Sequence, residues 1–305
     1  MERAATIGRL DGNQSGGGHE RRLFYDKCGR YLFIAAAFLM TIIIFSIIFF
    51  VSKQGLMTFA EVSPLEFFFS ASWDPTLGKF GALSFIVGSL VTTLLSVAIG
   101  APLGLLGAIF LAKVAPVWLK NIMRPATDLY VAIPSVVYGY IGLMLLVPYM
   151  RDAFGTTTGF GVLAAALVLA IMIMPTILSI STDALNAVPK PLEEASLALG
   201  ATWWQTMVHV IVPAAAPGIL TAVVLAMARA VGETMAVQML IGNTPQLITS
   251  LFSPTATLTS DIVVEMGNTP FGSVWGNALF LMAFVLLILS LAMILVIRRF
   301  GTRRV

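Results

Sequence analysis

The chain has 305 residues, 58% hydrophobic and 11% charged, with a formal net charge of +3. A soluble domain carries roughly a quarter charged residues. This composition and a mean hydropathy of +0.93 therefore exclude an ordinary soluble enzyme and point to an all-α integral membrane protein. The lone cysteine, Cys28, excludes an internal disulfide and any cysteine-based zinc site.

Residues 1–30 are polar, Gly-rich and basic around GNQSGGGHERR, which reads as a disordered tail with no cleavable signal peptide. A bilayer core takes roughly 20 apolar residues per helix. Six runs qualify: about Tyr31–Val51, Ala82–Ala112, Ala126–Pro148, Phe160–Ser181, Ala216–Ile241 and Val274–Ile297. The organisation predicted is a first transmembrane helix at 31–51, an external connection at 52–81, and a core of five further helices over 82–297. That core includes a structured loop at 188–213 and an external loop at 242–273, and a basic C-terminus follows at 298–305. The second run holds Gly100, Pro102, Gly104 and Gly107, which predict a kink or tilt. Gly100 and Gly104 also permit close helix packing.

Basic residues set the orientation. Arg3, Arg9, Arg21, Arg22, Lys27, Arg30, Lys113, Lys120, Arg124, Lys190, Arg298, Arg299, Arg303 and Arg304 fall on one side, against Lys53, Lys79 and Arg151 on the other. The prediction is a multi-pass protein with both termini cytoplasmic.

The loop VPKPLEEASLALGATWWQTMVHVIVP, Val188 to Pro213, reads as two short cytoplasmic helices. Pro191 suits the first helical turn, Glu193 and Glu194 lie near the positive end of the helix dipole, and Gly200 stops the helix. Thr202 and Gln205 form a Thr-x-x-Gln capping box for the second helix. Leu192, Leu197, Leu199, Trp203 and Trp204 give the knob an apolar surface, which either docks into a partner's groove or packs on the protein's own helix ends.

The fifth run carries AMARAVGETMAV, with Arg229 near the middle of the span, about 20 Å along it, and Glu233 one turn later, about 6 Å nearer the outside. Their i, i+4 spacing then puts both on one face, beside Ala222, Ala226, Gly232 and Ala236. A charge at mid-bilayer has to face a cavity or a partner. The pair is either a self-satisfied packing lock or part of a pathway. Ser135, after the helix-bending Pro134, and Tyr138 are further candidates for lining that pathway, or are simply satisfied structurally. Thr92 and Thr93 are expected to bond their own helix carbonyls. In the external loop, Ser260 is expected to cap a short helix that Gly267 ends.

The 188–213 loop resembles the EAA motif of ABC-importer permeases, which runs Glu-Ala-Ala, three residues, Gly, nine residues, Ile-x-Leu-Pro. Here the residues are Glu194-Ala195-Ser196, Gly200, Val210, Val212 and Pro213, with matching spacing. Three further stretches, IPSVVYGYIG (Ile133–Gly142), ARAVGETMAV with the following IGN (Ala228–Asn243), and TLTSDIVVEMG (Thr257–Gly267), resemble the C-type permease subunits of bacterial phosphate importers. The resemblance implies a six-helix type I ABC-importer permease fold with a MetI-like core and a cytoplasmic coupling helix, in the bacterial inner membrane. It implies that Glu193, Glu194, Ala195, Leu199 and Gly200 meet a separate ATPase subunit. It also implies a homologous second permease chain, two ATPase subunits, an external phosphate-binding protein and the lipid bilayer as partners, with no nucleic acid.

No Gly-x4-Gly-Lys-Ser/Thr loop is present, so the chain is expected to be non-catalytic, with no cofactor of its own and with ATP and Mg on the ATPase partner. In this frame Arg229, whose paired donors match a phosphate's oxygens, is expected to contact the anion, and Glu233 to hold Arg229 when no anion is there. Another oxyanion such as sulfate or molybdate, or an ion-coupled secondary transporter, remains open as an alternative.

Overall fold

The structure is a computed structural model that describes residues 16–270 and 272–301. The chain divides into two units, one up to Lys53 and one from Gln54 onward. Helix α1 (Gly16–Leu56) supplies the described part of the first unit. Met1–Ser15 lie outside the described residues. Gly16–Arg30, expected as disordered tail, is instead the opening of α1. A helix nucleated in the apolar run propagates readily through Glu20, Arg21, Arg22 and Leu23, all good helix formers.

The second unit opens with a 3-10 turn (Met57–Ala60), α2 (Pro64–Phe69) and a short hairpin of β1 (Trp73–Asp74) and β2 (Lys79–Phe80). Trp73 pairs with Phe80 across the hairpin. Its turn is held by the Asp74 carboxylate, which accepts from the amides of Thr76 and Leu77, and is closed by Gly78 at φ +68°. Helix α3 (Leu83–Ile109) follows, continues unbroken through Pro102, and ends in a π turn at Phe110–Val114. Next come α4 (Val117–Ala132), α5 (Ser135–Ile141), a π turn at Gly142–Leu146, and α6 (Val147–Phe154). Then α7 (Val162–Asn186) leads to the short α8 (Lys190–Ala198) and α9 (Trp203–Thr206). A π turn at Met207–Ile211 passes into α10 (Val212–Val231), followed by α11 (Met235–Gln238), α12 (Leu258–Met266) and α13 (Val274–Gly301).

Five helical stretches are long and apolar enough to cross a membrane, and a sixth results if Val117–Ala132 and Ser135–Phe154, bent by 90° at a break, count as one span. The expected six spans are therefore present, with two corrections. The third is broken at Ile133–Pro134 and not merely bent. The fifth begins earlier than Ala216 and stops at Val231, well short of Ile241. The expected cap of α12 also moves. Thr257 is the N-cap and Ser260 its reciprocal partner three residues on, while Gly267 sits at the C-terminal cap as expected.

Helix α7 is the scaffold, with Ala164, Ala165, Ala166, Ile173, Ile177 and Leu185 buried. Its small residues and glycines on its neighbours bring backbones together. A Cβ on Gly104 of α3 would lie 2.9 Å from the Ile177 Cβ, and one on Gly100 would lie 3.1 Å from the Ala170 carbonyl oxygen. On the α10 side, Ala222, Ala226 and Ala230 are buried, and the latter two share a core with Leu169, Ile173 and Ile177. These alanines therefore serve packing. At one end of α3 a second core joins Phe67, Trp73, Phe80 and Phe85 to Leu258 of α12 and Leu281 and Met282 of α13.

A Gly104→Val variant has no room against Ile177. It is expected to destabilise the packing of α3 on α7 by about 1–3 kcal/mol, read as a lower apparent Tm by intrinsic tryptophan fluorescence in detergent. An unchanged Tm would show that this crossing is not a close one.

Candidate functional site at two broken helices

Two helix breaks lie within the second unit. The first follows from Pro134. A proline pushes the preceding residue out of helical geometry and offers no amide of its own. Ile133 accordingly sits at φ −66°, ψ 128° and Pro134 at φ −58°, ψ 139°. The Tyr138 hydroxyl reaches back across the break and donates to the Tyr130 carbonyl at 2.7 Å, with the two rings 5.1 Å apart. Tyr138 thus satisfies backbone that the break releases, while Ser135 is the half-buried first residue of α5.

The second break spans Gly232 to Thr234, between α10 and α11. Glycine weakens the helix there, and Glu233 supplies what replaces it. Its carboxylate accepts from the Ala236 amide at 3.3 Å, which caps α11, and its carbonyl accepts from the Thr259 hydroxyl at 3.2 Å. The helices that follow the breaks abut: a Cβ on Gly139 of α5 would lie 2.9 Å from the Ala236 Cα of α11.

The expected arrangement of Arg229 and Glu233 on one helical face is therefore corrected, because α10 ends between them. Among the described residues no ion pair joins the two side chains. Arg229 is half-buried in the last turn of α10 and makes no hydrogen bond or ion pair there, and its charge falls within electrostatic reach of the Tyr138 hydroxyl. Glu233 does not hold Arg229. It holds the broken backbone.

Beside Glu233 lies a cavity of about 10 Å³, lined chiefly by Ser89, Thr92 and Thr93 of α3, Glu233, and Thr257 and Thr259. That volume suits about one water. Thr92 was expected to bond its own helix; instead its buried Oγ1 has no partner. Ser96 takes the carbonyls of Thr92 and Thr93. Sequence reading passed over Ser89, Thr257 and Thr259. A usable signal existed in the recurrence of Ser89, Thr92, Thr93 and Ser96 at helical spacing in an otherwise greasy span, all of them buried.

Helix α12 closes this region. The Leu258 amide donates to Ser89 Oγ at 2.9 Å. Farther along the helix, the Glu265 carboxylate accepts from Trp73 Nε1 at 2.9 Å and from Trp275 Nε1 at 2.6 Å, tying α12 to β1 and to the start of α13. Between them, Asp261 is buried with one carboxyl oxygen unpartnered. Burial first, then the neighbouring Glu265, pushes its pKa up to about 8.

At the opposite end of α3, the expected capping box of Thr202 and Gln205 is in place, and Gly200 adopts φ +85°. Glu194, Ala195, Leu199 and Gly200 are exposed, Leu199 at 89%. Leu192, Leu197, Trp203 and Trp204 are exposed as well, so the protein's own helix ends do not bury this surface. Glu193 differs: it is half-buried and pairs with Lys113. Among the described residues no group of His, Cys, Asp and Glu is placed to hold a metal ion.

This arrangement of broken spans around a polar centre, with an uncovered helical knob at one end, is that of a transport subunit. Residues 100–304 match the family described as binding-protein-dependent transport system inner membrane component. The chain is 49% identical over 280 residues to the probable ABC transporter permease protein YqgH of Bacillus subtilis, covering 90% of this chain and 91% of that one. It is 35% identical to the phosphate transport system permease protein PstC of Mesorhizobium japonicum (83% of this chain, 82% of that one). It is 33% identical to the PstC of Haemophilus influenzae (87% and 92%). Among solved structures, a bacterial ABC transporter for import of the acidic polysaccharide alginate aligns at TM-score 0.60 with 17% identity, covering 92% of this chain and 99% of that one. The MetNI methionine ABC transporter aligns at 0.52 with 20% identity, covering 77% and 100%. These last two speak to fold alone. The chain belongs to the family of inner membrane components of binding-protein-dependent transport systems. It is a multi-pass membrane permease subunit with a type I ABC-importer fold, and it is not itself the ATPase.

The buried Asp261 predicts a pH dependence. Between its ordinary value of 3.8 and about 8, the folded chain holds a proton that the unfolded chain releases. Stability therefore falls as pH rises through that window, by at most about 1.4 kcal/mol per pH unit, and levels off above it. Asp261→Asn is expected to remove this component: the apparent Tm of the wild type, but not of the variant, drops between pH 5 and pH 8. Parallel curves for the two proteins would show a solvated carboxyl.

Proposed function

We propose that the chain is a permease subunit of an ATP-driven importer that carries inorganic phosphate across the bacterial cytoplasmic membrane. It would work with a homologous second permease chain, two ATPase subunits and an external phosphate-binding protein. The observation that carries the reading is Arg229, a half-buried guanidinium in the last turn of α10, with no bonded partner among the described residues and next to the break between α10 and α11. A half-buried charge so placed is left to meet an anion, water or another chain. A guanidinium presents paired donors that match a phosphate's oxygens. The naming of relatives as phosphate permeases supports that anion over others.

In this reading Arg229 contacts the anion in passage. Ser89, Thr92 and Thr93 offer hydroxyls to the small cavity beside Glu233, and Glu233 keeps the break between α10 and α11 in shape. Tyr138 and Ser135 belong to the facing break. The distribution of basic residues supports cytoplasmic termini and a cytoplasmic α8–α9 knob. The exposed Glu194, Ala195, Leu199 and Gly200, with their EAA-type spacing, support docking of an ATPase there. Alternating access would follow when ATPase closure moves the knob.

Purification of the tagged chain from its native membrane is expected to recover an ATPase and a second permease chain, and Leu199→Asp to lower ATPase recovery at least tenfold. Recovery of the chain alone would remove the reading. In reconstituted complexes, phosphate delivered with its binding protein is expected to stimulate ATP hydrolysis where sulfate and molybdate do not. Arg229→Ala is expected to lower phosphate uptake by more than tenfold at normal complex levels, and Arg229→Lys to restore only part of it. Full activity of Arg229→Lys would argue against paired donation.

A further inference from the structure

We propose that the Lys113–Glu193 ion pair is the link through which movement of α8 reaches the polar cavity, which makes both residues positioning residues for transport. The inference rests on the reading that α8 docks an ATPase.

Helix α8 has no buried side chain, so packing alone grips it weakly. Two side-chain bonds hold it. Ser196 Oγ lies 2.9 Å from Thr206 Oγ1, which ties α8 to the start of the helical stretch Trp203–Val231. Lys113 Nζ donates to Glu193 Oε2 at 2.7 Å, and this bond ties α8 to the end of the stretch that carries α3. The pair is sheltered, with side-chain exposures of 17% and 26%. The other two ion pairs among the described residues, Arg124–Asp183 and Arg151–Asp152, are more than half exposed. Exposed pairs are screened and loose, whereas a sheltered pair resists separation because an uncompensated charge would be left behind.

The place of Lys113 matters as much as its bond. It lies in the π turn that continues α3, and Lys120 steadies that turn by donating to the Ala112 carbonyl at 3.0 Å. Such turns insert an extra residue and re-aim side chains. From Lys113 the same helix runs without a break to Thr93 and Thr92, about 30 Å away at 1.5 Å per residue. One continuous helical stretch, Leu83–Val114, therefore carries the ion pair at one end and three of the cavity's hydroxyls at the other. The adjacent glutamates divide the work: Glu194 is exposed toward a partner, and Glu193 turns inward onto α3.

The test uses the reconstituted complex with its ATPase, second permease chain and binding protein, and reads anion uptake per ATP hydrolysed. Lys113→Met and Glu193→Gln are each expected to lower this ratio about tenfold or more. The charge-swapped double variant Lys113→Glu/Glu193→Lys is expected to return it to within about threefold of wild type. A pair that only fastens the fold would alter the amount of complex and leave the ratio alone. An unchanged ratio in either single variant overturns the inference. So does a swap that assembles normally without recovery, and so does loss of the ATPase from the single variants, which would make the pair a part of the docking site. If the wild-type chain recruits no ATPase, the parent reading fails first, and co-purification shows this before any variant is made.

Discussion

Backbone amides and carbonyls released inside a bilayer find no water, so a broken membrane helix survives only where the protein supplies partners. The centre of this protein obeys that constraint at two places. Tyr138 returns a hydroxyl to the Tyr130 carbonyl across the break at Pro134, and Glu233 serves both the Ala236 amide and, through its own carbonyl, the Thr259 hydroxyl. The helices that follow the two breaks approach closely, Gly139 against Ala236. With both breaks satisfied, the chain can carry irregular, polar backbone at depth and keep a guanidinium beside it.

The rest of the unit is arranged around that centre. The glycines of α3 and the alanines of α7 and α10 let three helices pack backbone to backbone, leaving α3 as a long rod along α7. At one end α12 lies across the rod, bonded to Ser89 and anchored by the two indoles on Glu265. At the other end α8 buries no side chain and is held by Glu193 on Lys113 and Ser196 on Thr206. One continuous helical stretch thus runs between the knob and the polar centre.

Much of this was legible from residues alone. The six apolar runs, the capping box at Thr202 and Gln205, the stop at Gly200 and the packing role of Gly100 and Gly104 follow from local rules, because hydropathy, capping and small-residue spacing act over a few residues. Three of the misreadings share one cause. The run from Ala216 to Ile241 looks like one helix by hydropathy, yet it breaks at Gly232, and Thr259, 26 residues beyond Glu233, offers a hydroxyl to the Glu233 carbonyl there. Thr92 was expected to satisfy itself within its helix, yet it faces a cavity assembled from four separate segments. Glu193 and Glu194 are indistinguishable in sequence, and only the return of α3 to the loop, 80 residues away along the chain, separates them.

The sequence by itself determined the class: a membrane protein, its number of spans, its basic asymmetry and a helical knob of fixed spacing. These depend on transfer free energies and backbone propensities that each segment carries with it. The tertiary structure decided where the helices break, which hydroxyls share a cavity with Glu233, that Arg229 stands without that glutamate, and which of two glutamates turns inward. Each of those depends on partners brought together from distant parts of the chain, and a buried polar group takes its place from the partner that satisfies it.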